Sequence, residues 1–180
     1  VYQYYLRANC GAEQEFTDWT DTLEFVTECI PYTLDYLETF DTVGLSTDPK
    51  MPVCWTQENI SGNAEFRIGT STSQDPYLGV GKMLIWDAPG SANMSSRAIS
   101  PSIKISGTGN VVRFYYSGDS DAQAEPRIQL QFKTDTDDTW YDLSRKFPLD
   151  TTEVFNQISV PLPDTLENKT INLGFLLEKY

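Results

Sequence analysis

Arg127-Ile128-Gln129-Leu130-Gln131-Phe132-Lys133 alternates without a break. Successive side chains of an extended chain point to opposite sides. Ile128, Leu130 and Phe132 therefore share one face, and Arg127, Gln129, Gln131 and Lys133 share the other. This is the pattern of an antiparallel strand with one side on a core and the other toward water. Several stretches around it read the same way: Val111 to Tyr116, Trp140 to Leu143, Phe155 to Val160 and Ile171 to Leu177. Phe66 to Gly69, Lys82 to Trp86 and Ala98 to Ile105 extend the series toward the start. Asp87-Ala88-Pro89-Gly90 and Gly107-Thr108-Gly109-Asn110 supply turn chemistry between strands. Further strands are predicted over Tyr2 to Ala8, over Glu24 to Thr27 and from Leu34 through Phe40. Gly11 to Thr22 reads as a long hairpin connection and Thr42 to Pro52 as a loop. Sustained apolar spacing at i, i+3, i+4 is missing from the sequence. Many short strands at roughly ten-residue spacing, with turn signals between them, predict an all-β chain, an antiparallel jelly-roll-like β-sandwich.

The 180 residues suffice for one good-sized sandwich, or for one sandwich plus part of another. The 26 acidic residues outnumber the 13 basic ones, giving a formal charge of −13. That field repels nucleic acid and anionic lipid, so no nucleic-acid partner is expected. It suits an extracellular protein and leaves carboxylates for cations. No apolar run is long enough for a membrane-spanning helix, and no membrane insertion is expected. The chain opens on Val1-Tyr2-Gln3-Tyr4-Tyr5 without an initiator Met or a signal peptide, which reads as a fragment of a longer exported protein.

Cys10, Cys29 and Cys54 are the three cysteines, and no histidine is present to complete a zinc pattern. A disulfide in an oxidising compartment is the expected use. Cys29 with Cys54 would staple the first sandwich loop. The alternative, Cys10 with Cys29, requires the chain to run out and back between them. Without histidine the usual nucleophilic triads are closed. No phosphate-binding glycine loop and no nucleophile elbow occurs. No catalytic residue is assigned, and the chain is expected not to be an enzyme.

Two resemblances join these readings. Tyr2-Gln3-Tyr4-Tyr5-Leu6-Arg7-Ala8-Asn9-Cys10-Gly11, with Trp19 and Leu23-Glu24-Phe25-Val26-Thr27, resembles the last two strands of a fibronectin type III domain. Residues 1–28 would then be the C-terminal part of such a domain, whose remainder lies upstream. From about Cys29 to the end, the order of motifs resembles the MAM-like "cleaved adhesin" or "choice-of-anchor J" modules of secreted Bacteroidetes-type proteins. The motifs are Tyr36-Leu37-Glu38-Thr39-Phe40-Asp41, Pro52-Val53-Cys54-Trp55-Thr56, Ile99-Ser100-Pro101-Ser102-Ile103, Val112 to Asp119, and Thr134-Asp135-Thr136-Asp137-Asp138-Thr139-Trp140. Asp137-Asp138 departs from the family's hairpin glycines. The closing acidic strand of such modules is also missing, so residues 29–180 would form a sandwich without its last strand.

The second resemblance implies a structural Ca²⁺ held in part by Glu38 and Asp41. Two carboxylates supply only part of the six to eight oxygens calcium takes. Asp87 and Asp119 are weaker candidates of the same kind. Trp55, Trp86, Tyr115 and Tyr141 could form a glycan platform or serve as core, and Thr134 to Trp140 reads as a structural turn that buries Trp140. The function expected is a non-catalytic adhesion or binding module of a secreted or cell-surface bacterial protein. Its partners would be an extracellular glycan or protein ligand and the neighbouring domains of the same chain. The alternative is a passive spacer, or an accessory carbohydrate-binding domain of a larger secreted hydrolase or peptidase.

Overall fold

A computed structural model of the chain describes residues 2–8, 17–21, 23–25, 29–41, 51–70, 76–77, 81–90, 93–118, 125–149 and 154–180. The expected Cys10 and Asp119 lie outside the described residues. Strands β1 (Tyr2–Tyr4) and β2 (Leu23–Phe25) form an antiparallel hairpin. Thr20 and Thr17 extend it, their hydroxyls accepting from the amides of Leu6 and Ala8 at 3.1 and 2.9 Å. Among the described residues this pair joins no other sheet.

The remainder is a sandwich. Its large sheet runs β10 (Asp137–Asp142), β9 (Arg127–Thr134), β13 (Thr170–Lys179), β6 (Met94–Ile99), β3 (Thr56–Ser61), with β11 (Phe147–Pro148) beside β9 and β7 (Ile103–Lys104) beside β13. Two antiparallel pairs cover one face of this sheet: β8 (Val111–Tyr116) with β12 (Asn156–Pro161), and β4 (Glu65–Gly69) with β5 (Met83–Asp87). A 3₁₀ turn, Asp164–Leu166, leads into β13.

The alternation read from the sequence sets which side is core. Leu130, Ile171 and Leu173 of the large sheet pack against Ile158 and Val160 of β12 and against Val112 and Phe114 of β8. Ala98, Ile128 and Leu177 pack against Phe66 of β4 and Leu84 and Trp86 of β5, with Met51 and Trp55 closing the end. Phe114, Tyr116, Phe147 and Phe175 belong to both clusters, so the two covering pairs share one continuous interior. Each fully buried large apolar side chain contributes about 2 kcal/mol.

The layers are also tied by polar contacts. The Gln57 amide on β3 accepts from Phe66 N–H at 2.7 Å and donates to Phe66 C=O at 3.2 Å, imitating a neighbouring strand. The Trp86 indole donates to Ser96 Oγ at 2.5 Å. Cys29 and Cys54 form a disulfide with Cα atoms 5.8 Å apart, fastening the lead-in segment to the start of β3. Closing that loop contributes about 3 kcal/mol.

The strand predicted from Leu34 through Phe40 does not form. Asp35 and Phe40 take φ of 60° and 61°, in the left-handed region, and an extended run cannot pass through either. An isolated parallel bridge, Tyr32 with Ile103, joins this segment to the sheet, and Leu34, Tyr36 and Phe40 pack against the core. Likewise Cys54 (φ 66°) sits in a turn, and the strand begins after it, at Thr56.

Candidate functional site

The outward side of the large sheet carries an uncommon load. In an ordinary sandwich this side is solvated. Here Arg97, Gln129, Gln131 and Glu178 are buried on it, each less than a tenth exposed. The registers bring them together. Gln131 on β9 pairs with Gly174 on β13 and with Asp142 on β10, and Arg97 on β6 pairs with Leu176 on β13 and Glu58 on β3.

Gly174 is the pivot. A Cβ there would come within 2.6 Å of the Trp140 ring and 2.7 Å of Arg97 Cδ. The missing side chain is what lets Trp140, half-buried on β10, cross β9 and rest on the sheet backbone. The Arg97 guanidinium lies 4.4 Å from the centre of the Trp140 ring, and Lys133 Nζ lies 5.4 Å from it. Such cation–π contacts gain strength when water is excluded.

A chain of hydrogen bonds fixes the cation in turn. Arg97 Nε donates to Gln131 Oε1 at 2.9 Å, and Gln131 Nε2 donates to Asp142 Oδ1 at 2.7 Å. Arg97 Nη1 pairs with the Glu58 carboxylate. Burial pulls the Arg97 guanidinium below its usual pKa, while Glu58 pulls the other way. Further along, Glu178 pairs with Lys146 at 2.5 Å and accepts from the Tyr180 hydroxyl at 2.9 Å. The hydrogen bond to Glu178 raises Lys146 above its ordinary value. The arrangement is an aromatic plate held by an interlocked polar layer, with hydrogen-bonding groups along its rim.

The expected metal residues lie elsewhere. Glu38 Oε1 accepts from Phe40 N–H at 2.7 Å, while its Oε2 accepts from the Tyr36 hydroxyl at 3.0 Å and the Trp55 indole at 3.2 Å. Burial, foremost, pushes the Tyr36 phenol upward in pKa. Asp41 Oδ1 accepts from Lys82 N–H at 3.0 Å, and a Cβ on Gly81 would come within 2.2 Å of it. Around Glu38 the neighbours are donors, which orient a carboxylate but add no oxygen to a cation shell. Among the described residues no group of three or more metal-ligating side chains occurs. Glu38 and Asp41 thus fit as two partial ligands and not as a whole site. Asp87 is ion-paired with Arg67.

Of the four aromatic candidates, Trp55 is 3% exposed and core, and Trp86 is turned inward onto Ser96. Tyr115 and Tyr141 are exposed. Tyr141 stacks on Phe132 with centroids 5.5 Å apart and donates to Asp137 Oδ2 at 2.7 Å. Trp140, Arg97 and Gln131 were not marked as a site by sequence reasoning. The available signal was the pair of outward glutamines on a strand long enough to be certain.

No protein-family model matches the chain, and no curated protein matches it. Two solved structures are similar in fold. One is the K1 cleaved adhesin domain of Lys-gingipain from Porphyromonas gingivalis W83, at 12% identity and a TM-score of 0.53, covering 79% of this chain and 92% of that one. The other comes from work on the promiscuous specificity of carbohydrate-binding modules of the β-sandwich superfamily, at 14% identity and a TM-score of 0.52, covering 98% of this chain and 66% of that one. At these identities the likeness establishes the β-sandwich fold.

Proposed function

We propose that the chain is a non-catalytic module that binds a glycan through the outward side of its large sheet, with Trp140 as the stacking platform. One observation carries the reading: Trp140 lies against a glycine and is clamped by Arg97, which is held by the buried Gln131, itself bonded to the exposed Asp142 at the rim. Buried polar groups of this kind are rarely the best route to stability, since apolar residues of similar volume do as well or better. They do hold a binding surface in one geometry before the ligand arrives, which lowers the cost of association. Sugars offer an apolar C–H face to an aromatic ring and hydroxyls to Arg, Gln and carboxylate groups at the rim. The neighbouring folds, one a gingipain adhesin domain and one a carbohydrate-binding module, support the same class. The finer reading, a cleaved-adhesin-type module of a secreted bacterial protein, rests on the ordered motifs from Tyr36 to Trp140 and on the disulfide.

The carboxylates of this side support binding over catalysis. Glycoside hydrolysis needs a protonated acid beside a second free carboxylate. Here Glu58 and Glu178 are each tied to a cation, and Asp142 to the Gln131 amide.

A glycan array probed with the wild-type chain and with Trp140→Ala tests the proposal. Signal on at least one glycan, lost in the variant while its fold is retained, is expected. A blank array is the result a passive spacer would give. A structural Ca²⁺ on Glu38 and Asp41 is a separate proposal. Chelation should then lower the melting temperature, and an unchanged transition would dispose of it.

A further inference from the structure

The opposite outer surface, formed by β8 and β12, has a different composition. The residues of β8 that point away from the core are Val111, Arg113 and Tyr115, and their partners on β12 are Pro161, Ser159 and Gln157. The Tyr77 ring stacks on Tyr115 with centroids 3.7 Å apart and planes 21° from parallel, and Phe155 meets Tyr77 edge-on at 5.7 Å. Tyr77 is 48% exposed and Tyr115 38%. An aromatic pair stacked with this much area left in water is a ready platform for another flat apolar face. Two residues along the same strand, about 7 Å away, stands Arg113. It is exposed and bonded to Ser159 Oγ at 3.4 Å. Among the described residues it has no carboxylate partner, whereas Arg67, Arg97 and Arg127 each have one. A guanidinium bonded to a neutral hydroxyl beside an open aromatic pair is placed to receive an external carboxylate, a local attraction that works against the chain's net charge of −13.

We infer that this surface is a second binding site, for a glycan bearing carboxylates. A sugar ring would stack on an open face of the Tyr77–Tyr115 pair, and its uronate carboxylate would be received by the Arg113 fork in a charge-assisted pair. Gln157, cross-strand from Tyr115, supplies an amide for a ring hydroxyl. The inference stands apart from the Trp140 platform, since the two surfaces lie on opposite layers of the sandwich.

The test is calorimetric titration with oligogalacturonate and with a hyaluronan hexasaccharide at low salt, with cellohexaose as the neutral control. In the Trp140→Ala chain, at least one acidic probe should bind and the neutral one should not. Arg113→Gln and Tyr115→Ala should each weaken that binding about tenfold, with melting temperatures unchanged, while Trp140→Ala leaves it intact. Added salt should weaken it, because the pair is exposed. The inference is overturned if neither acidic probe binds, if cellohexaose binds equally well to the Trp140→Ala chain, or if only the Trp140 substitution abolishes binding of the acidic probe. Should Tyr115→Ala prove poorly folded, Arg113→Gln alone decides.

Discussion

The two outer sides of the sandwich are built on opposite plans. On the large sheet, polar side chains are buried and bonded to one another, and one indole rests on a bare stretch of backbone. On the β8–β12 pair, the aromatic rings are stacked in the open and the single arginine is lightly held. The first surface is fixed by the same contacts that hold the fold together there. The second has almost no structural duty. Substitutions on the large sheet should therefore cost stability and ligand binding together, and substitutions on β8 should cost binding alone.

The largest effect is expected at Arg97. Arg97→Ala removes the partner of Glu58, the donor to Gln131 and the plate beneath Trp140. Leaving the buried Gln131 acceptor unpaired and opening a void should destabilise the fold by about 3 kcal/mol, read as a lower denaturation midpoint with an unchanged slope. A loss below about half a kcal/mol would show that the polar layer is not holding the sheet. Gly174→Val comes next. Its side chain would collide with Trp140 and Arg97, at a cost of about 2 kcal/mol, and Trp140 fluorescence should shift to longer wavelength as the ring is lifted into water. An unshifted spectrum would contradict the close packing. Tyr115→Ala, by contrast, should change stability by less than about 0.5 kcal/mol, as at an ordinary surface position. A large loss there would erase the contrast between the two sides.

The smallest effect sits on the β9–β10 hairpin. The Tyr141 hydroxyl foremost, and then the Thr139 amide at 2.8 Å, hold Asp137 below the ordinary carboxylate pKa. A depressed folded-state value stabilises the fold above the unfolded pKa of about 4, and that contribution is lost as pH falls through the folded value. Tyr141→Phe should raise the Asp137 titration midpoint toward normal in an NMR pH series. The midpoint should stay put if the bond does not form in solution.

The strands that were legible in the sequence are those with one apolar side. Ile128, Leu130 and Phe132 announce β9, and Val112, Phe114 and Tyr116 announce β8, because burial of one face imposes period two. β3 was missed. Thr56-Gln57-Glu58-Asn59-Ile60-Ser61 is polar on both sides, and its strand state comes from pairing with β6 at the sheet's edge. The segment from Leu34 to Phe40 carries strand-like residues but is shaped by Glu38 folding back onto Tyr36, Phe40 and Trp55. The disulfide pairing was within reach, as Cys29 and Cys54 bracket the loop that a bridge between them would staple. The Trp140 platform was not. Its members come from β6, β9, β10 and β13, and only the registers of four strands decide that Arg97 meets Gln131, 34 residues away. Pairing order in a sheet is a property of the whole fold, which local patterning does not encode.

The most direct measurement is an amide and indole NMR titration of the whole chain with a glycan that the array identifies. The Trp140 indole N–H, the Gln131 side-chain amide and the Arg97 guanidinium should shift together, saturating along one curve. Binding that leaves all three unmoved would contradict the claim that the outward side of the large sheet is the recognition surface.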